Sequence, residues 1–160
     1  MAKTLFEQLS DQGFTPLHKR IERKQIRLHE KATCYVLSFT PETDSCAFQI
    51  DGDIIKGSTT DRCDYVVLAC HDDSWAEIFV ELKGSDIAHA VAQIKATVNH
   101  PMFKQTKHIL RRARVVTPNR IPSNTGNSVV ERAKVDLKKV GCDFKAIKSL
   151  QPDVLHQADF

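Results

Sequence analysis

The sequence predicts an α/β domain, a mixed central β-sheet flanked by helices, and three observations predict it. Short apolar runs bounded by turn residues recur through residues 34–82, the pattern of successive strands. After Gly84 the apolar period lengthens from two to about 3.6 residues. From there helix and strand patterns alternate, which implies strand–helix–strand units with parallel pairing.

Taken in order, residues 2–9 read as a short helix with Leu5, Phe6 and Leu9 on one side, broken by Gly13 and Pro16. Residues 17–31 are densely charged with sparse apolar positions, and fit either an exposed helix or a loop followed by an edge strand. Residues 34–40 form a β-rich run that is expected to stop at Pro41. Residues 42–45 then read as a turn and 46–50 as a second strand, ending at Asp51-Gly52-Asp53. Another turn is expected at 57–60, a third strand at 63–70, a polar turn at 71–74 and a fourth strand at 76–82. Ile87, Ala90, Val91, Ile94 and Val98 define an amphipathic helix, with Ser85 as its expected N-cap. A fifth strand (108–117), a loop (118–127) and a helix (128–140) follow, with Asn127 or Ser128 as N-cap and Gly141 at the C-terminal cap. Residues 142–150 read as a final short strand, and the tail beyond Pro152 shows no clear pattern.

The 160 residues suit a single domain spanning 1–160, with a core at about 34–150, an N-terminal helix and charged segment at 1–33, and a tail at 151–160. The apolar runs are too short to cross a bilayer, and the N-terminus lacks a signal-peptide stretch. A cytoplasmic protein with no membrane partner is therefore expected. Five cysteines, none in a CxxC pair, argue against a disulfide framework or a structural zinc. The net charge of +3 conceals an asymmetry: residues 1–83 carry 10 Lys+Arg against 14 Asp+Glu, and residues 84–160 carry 13 against 6. An acidic half beside a basic half suits a metal site next to a phosphate-binding surface.

The chemistry gathers at the end of the fourth strand. In Glu81-Leu82-Lys83 the alternation of a strand sends Glu81 and Lys83 to one face and Leu82 to the other. Charged groups seldom stand in an apolar strand unless paired or functional. If the third and fourth strands form a hairpin, Asp64 comes close to Glu81. Two such carboxylates can hold a hard divalent ion, with the Leu82 backbone carbonyl as a further oxygen ligand. A neighbouring lysine can orient or deprotonate an attacking water.

Asp64, sixteen intervening residues, and then Glu81-Leu82-Lys83 resemble the motif of the PD-(D/E)xK nuclease superfamily. The likeness covers residues 34–117 and extends to Ile50-Asp51-Gly52, to Cys63-Asp64-Tyr65 and to Gly84 after the lysine. It implies a restriction-endonuclease-like core in a small stand-alone member. It also implies Mg²⁺ or Mn²⁺ on Asp64 and Glu81, with Lys83 serving the nucleophilic water. Several branches add a glutamine on the next helix, a position that Gln93 fits. An upstream acid often completes the metal site, and Asp51, Glu30 and Glu22 are the candidates. The proline that often precedes the first aspartate is replaced by Cys63.

Lys104, Lys107, Arg111, Arg112 and Arg114 form the densest basic run and are the candidate nucleic-acid contacts. Arg120, in the loop before the last helix, joins them through a phosphate site at that helix's N-terminus. The function expected is a metal-dependent endonuclease acting on DNA rather than RNA, in phage or host defence or in DNA processing. It is expected as a homodimer, so that two strands can be addressed. The rival expectation is a non-catalytic module of the same fold that binds nucleic acid or a partner protein, of the immunity or anti-defence type.

Overall fold

A computed structural model describes residues 2–57, 61–82, 86–118 and 125–160, with the backbone alone at 125–127. Among these residues are seven strands in one mixed sheet and three α-helices. The elements are α1 (Leu5–Asp11), β1 (His18–Glu30), β2 (Thr33–Gln49), β3 (Tyr65–His71), β4 (Ser74–Glu81), α2 (Ile87–Val98), β5 (Leu110–Thr117), α3 (Thr125–Lys138), β6 (Asp143–Lys148) and β7 (Pro152–His156). The sheet order is β1-β2-β3-β4-β5-β6, with β7 beside β2. The α/β class and the mixed sheet agree with the sequence.

The first four strands form an antiparallel meander. The β3–β4 turn places Asp72 and Asp73 at φ 47° and 62°, a left-handed pair that suits the twist of a two-residue hairpin and that aspartate tolerates. From β4 to β5 and from β5 to β6 the chain crosses over through α2 and α3, giving parallel pairs. Both crossovers step in the same direction across the sheet, so a constant hand leaves both helices on one face.

Strand alternation divides the core into two apolar layers. Val66, Leu68, Phe79, Ala113, Val115 and Phe144 face the three helices, meeting Leu5, Leu9, Ile94, Val98 and Leu137. Val67, Ile78, Val80, Val116 and Ile147 face the other way. That second face is covered by strands rather than by helices. Ile26, Leu28, Tyr35, Leu37 and Leu155, from β1, the first half of β2, and β7, close over it.

Several boundaries correct the sequence reading. Residues 17–31 hold an edge strand, β1. The two strands expected on either side of Pro41 are one seventeen-residue strand. Pro41 falls in the register break between Arg23↔Thr43 and Gln25↔Ser38, where a residue without an N–H leaves no ladder bond unmade. Asp86, not Ser85, caps α2, its side chain accepting the His89 N–H at 3.0 Å. Helix α3 begins at Thr125, which puts Asn127 and Ser128 within it rather than at its cap. Gly141 does take the left-handed capping conformation, at φ 73°. The tail is ordered as β7, parallel to β2 from Val36↔Pro152 to Thr40↔His156. The turn expected at 57–60 and the loop at 118–127 fall largely outside the described residues.

Candidate active site

Tyr65 pairs with Val80 where β3 begins and β4 ends. Asp64 precedes that pair and Glu81 follows it, so the two carboxylates occupy adjacent places at one end of the hairpin. Asp64 has the parity of Val66 and Leu68, and Glu81 that of Phe79, so both point to the helix-covered face. Asp64 is 4% exposed and Glu81 0%. The β3–β4 hairpin brings Asp64 next to Glu81, and the face they share is a feature the sequence did not specify.

Backbone bonds fix Asp64 from both sides. Its N–H donates to Val80 O at 3.1 Å, and its carbonyl accepts the N–H of Ile50 at 2.8 Å. Its carboxylate accepts the Leu82 N–H at 2.9 Å, orienting one oxygen and supplying a charge-assisted bond. The preceding residue, Cys63, donates its N–H to Thr97 Oγ1 at 2.7 Å, and the Thr97 hydroxyl donates to Gln93 O at 2.8 Å. This relay ties α2 to the strand end that bears the acids. Burial pushes the Cys63 thiol far up, and the charges of Glu81 and Asp64 add to the effect, which marks the thiol as an electronegative wall rather than a nucleophile.

Gln93 lies one turn before Thr97 on the same buried face. Its Oε1 is enclosed and has no hydrogen-bond partner among the described residues. Two hard carboxylates suit Mg²⁺ or Mn²⁺, and Gln93 is a buried neutral oxygen on the helix that Thr97 ties to the same strand end. No group of three His, Cys, Asp or Glu side chains gathers among the described residues. A cation there would rest on two carboxylates with neutral oxygens and water, which is the habit of Mg²⁺.

The candidate third acids are scattered. Asp51 lies alongside, its N–H 3.3 Å from Asp64 O, with its carboxylate held by Arg62 at 2.9 Å. Glu30 accepts from the Tyr65 hydroxyl at 3.4 Å, on the opposite face from Asp64. Glu22 pairs with Asp44, which pairs with Cys70, far along β3 from the site. Lys83 and Arg120 lie outside the described residues.

The basic run does not form the expected surface. Arg111 is 4% and Arg114 1% exposed. Arg111 holds Glu77 with Nε–Oε1 at 3.0 Å and Nη2–Oε1 at 2.8 Å. Arg114 Nε donates to Asp153 at 2.8 Å, and that carboxylate also accepts the Tyr35 hydroxyl at 2.6 Å. Alternation along β5 sends these two arginines into opposite core layers, where a buried cation requires a counter-ion. Arg112 is half-buried and bonds Val154 O at 2.8 Å. Lys104 and Lys107 are exposed, but they precede Leu110, the partner of Ala76. At ~3.3 Å per residue that is about 17 Å along β4 from Glu81.

Thr97 and Glu77 were not singled out in the sequence. Each had a signal: Thr97 follows Gln93 by one turn on an apolar helix face, and Glu77 shares the parity of Glu81 within an apolar strand. Comparison with protein-family models, with curated proteins and with solved structures gives no match. No helix among the described residues is long and apolar enough to cross a membrane.

Proposed function

We propose that the protein is a Mg²⁺- or Mn²⁺-dependent endonuclease that hydrolyses phosphodiester bonds of DNA, built on a restriction-endonuclease-like core. One observation carries the reading: two nearly inaccessible carboxylates, Asp64 and Glu81, stand at adjacent places on one face of a hairpin end. Two adjacent carboxylate side chains offer oxygen ligands of the kind a hard divalent cation takes. When bound, the cation supplies Lewis-acid polarisation of the phosphate and a lowered pKa for water. The chain's part is to hold and orient. Leu82 N–H fixes the Asp64 carboxylate, the Thr97 relay fixes Cys63 and the helix, and Gln93 offers a neutral oxygen. Lys83, by its place in the motif, steers the attacking water and receives its proton.

The test is conversion of supercoiled plasmid to nicked and linear forms in Mg²⁺, run beside single-stranded DNA and RNA. Asp64→Ala, Glu81→Ala and Lys83→Ala are expected to lose cutting by at least about 100-fold. Equal cutting by any of the first two variants ends the proposal. A second reading, a non-catalytic module that binds nucleic acid or a partner protein, draws support from the internal use of Arg111 and Arg114. Absence of any heat on calorimetric titration with Mn²⁺ favours that module.

A further inference from the structure

We propose that β1, with the turn that follows it, is the surface that holds a nucleic-acid backbone against the Asp64–Glu81 pair; the inference rests on the nuclease reading. Residues 18–31 contain six of the ten Lys and Arg of the acidic first half, and two of its fourteen Asp and Glu. The remainder of that half is strongly negative, so its positive charge is gathered on one ribbon. Arg20 is held by Asp44 at 2.8 Å. Lys19, Lys24, Arg27 and Lys31 are exposed and take part in no ion pair among the described residues.

Position supports the same assignment. β1 is an edge of the sheet, with unpaired backbone N–H groups available beside its cations. Its far end meets the strand end that bears the acid pair, from the opposite face of the sheet: the Tyr65 hydroxyl donates to His29 O at 3.5 Å and to Glu30 Oε2 at 3.4 Å. Tyr65 directly follows Asp64. A polyanion approaching two carboxylates needs cations beside them, and Lys104 and Lys107 stand at the other end of β4. Lysines on an edge strand also discourage edge-to-edge pairing, a role compatible with this one.

The experiment is fluorescence anisotropy of a labelled duplex DNA oligonucleotide in EDTA, across a salt series. Loss of three phosphate contacts in K24Q/R27Q/K31Q should reduce the salt slope by about 2.7 and weaken binding at ~0.1 M salt at least about 10-fold. K134Q/K138Q/K139Q, which removes the same charge on and beside α3, should stay within about 3-fold of the parent. The three single ribbon substitutions, each expected to change the slope by about 0.9, serve if the triple variant does not fold. Unchanged affinity in the ribbon variants, equal loss in the α3 variant, or no DNA binding by the parent overturns the proposal. So does displacement of DNA by polyglutamate at equal charge concentration, which would indicate an acidic protein partner instead. Binding in EDTA is read without hydrolysis. Ribbon-dependent binding with no Mg²⁺-dependent cutting therefore refutes the nuclease reading alone, and cutting without ribbon dependence refutes this inference alone.

Discussion

Removal of Glu77 tests whether Arg111 is an internal strut or a contact for nucleic acid. Glu77 is 0% and Arg111 4% exposed, and two bonds of 3.0 and 2.8 Å join them. Thr106 donates to the other carboxylate oxygen, and the arginine also donates to Phe103 O. The pair thus locks β4, whose last residue is Glu81, to β5 and to the segment that precedes it. Glu77→Ala leaves a guanidinium buried without its counter-ion, which costs about 3–5 kcal/mol. Against a total of about 5–15 kcal/mol for a domain, that is a large fraction. At ~2–4 °C per kcal/mol for this chain length, the melting temperature falls by about 6–20 °C. Arg111→Ala should cost a similar amount, because Glu77 is then the stranded charge. The double variant Glu77→Leu with Arg111→Met removes both charges and should recover most of the loss. Urea unfolding of the parent, Glu77→Leu, Arg111→Met and their double variant gives the double-mutant cycle, and duplex binding by the double variant gives the functional side. A cost below about 1 kcal/mol for Glu77→Ala refutes the strut. A double variant that folds yet loses DNA affinity as the ribbon variants do shows that Arg111 is a contact after all.

Three further outcomes follow from the same geometry. Mn²⁺ at one hundred times its dissociation constant should stabilise the protein by about 2.7 kcal/mol, readable by thermal shift, reversed by EDTA and absent in Asp64→Asn; a full shift in that variant means the ion sits elsewhere. Thr97→Val removes the hydroxyl that accepts from Cys63 and donates to Gln93, and should cost about 1–3 kcal/mol, with Thr97→Ser close to the parent; an unchanged urea midpoint shows that the relay does not tie α2 to the site. At high pH, burial raises the Cys46 and Cys142 thiols from 9.0 to about 12, so the unfolded chain sheds these protons first. The contribution of these thiols to stability should therefore be constant below about pH 9 and fall between about 9 and 12, by ~1.4 kcal/mol per pH unit for each thiol; a slope that is the same in Cys46→Ala shows that this thiol is not among the groups responsible.

The acid pair was legible because it needs little more than strand parity and a hairpin. Asp64 and Glu81 each border a continuous apolar run, and a two-residue turn between those runs sets the register that makes them neighbours. What was not legible depends on partners distant in sequence. β7 escaped notice because its buried face carries Asp153 and Leu155, and an aspartate reads as outward-facing until Arg114 and Tyr35 are known to meet it. Pro41 reads as a strand end because the register break in β1 that accommodates it leaves no mark near Pro41 itself. The run 111–114 was read as a surface because three arginines in four residues look solvated. Two of them in fact alternate into opposite core layers, each towards a carboxylate 34 or 39 residues away.

Glu77 and Glu81 sharpen the argument for the site. They stand on one strand and one face, two alternations apart, and both are fully buried. The fold answers Glu77 with an arginine from the next strand, two of whose N–H groups donate to one carboxylate oxygen. It sets Glu81 next to a second carboxylate, Asp64, from the strand on the other side. A sequence that sets an arginine against one buried glutamate and an aspartate next to the other has given the same residue type two different neighbours. The first is a structural clamp. The second is the carboxylate pair at which we propose that a cation binds, on the strand end tied to α2 through Cys63 and Thr97. That contrast within a single strand, more than the motif spacing, is the physical reason to look for chemistry at Glu81 and not at Glu77.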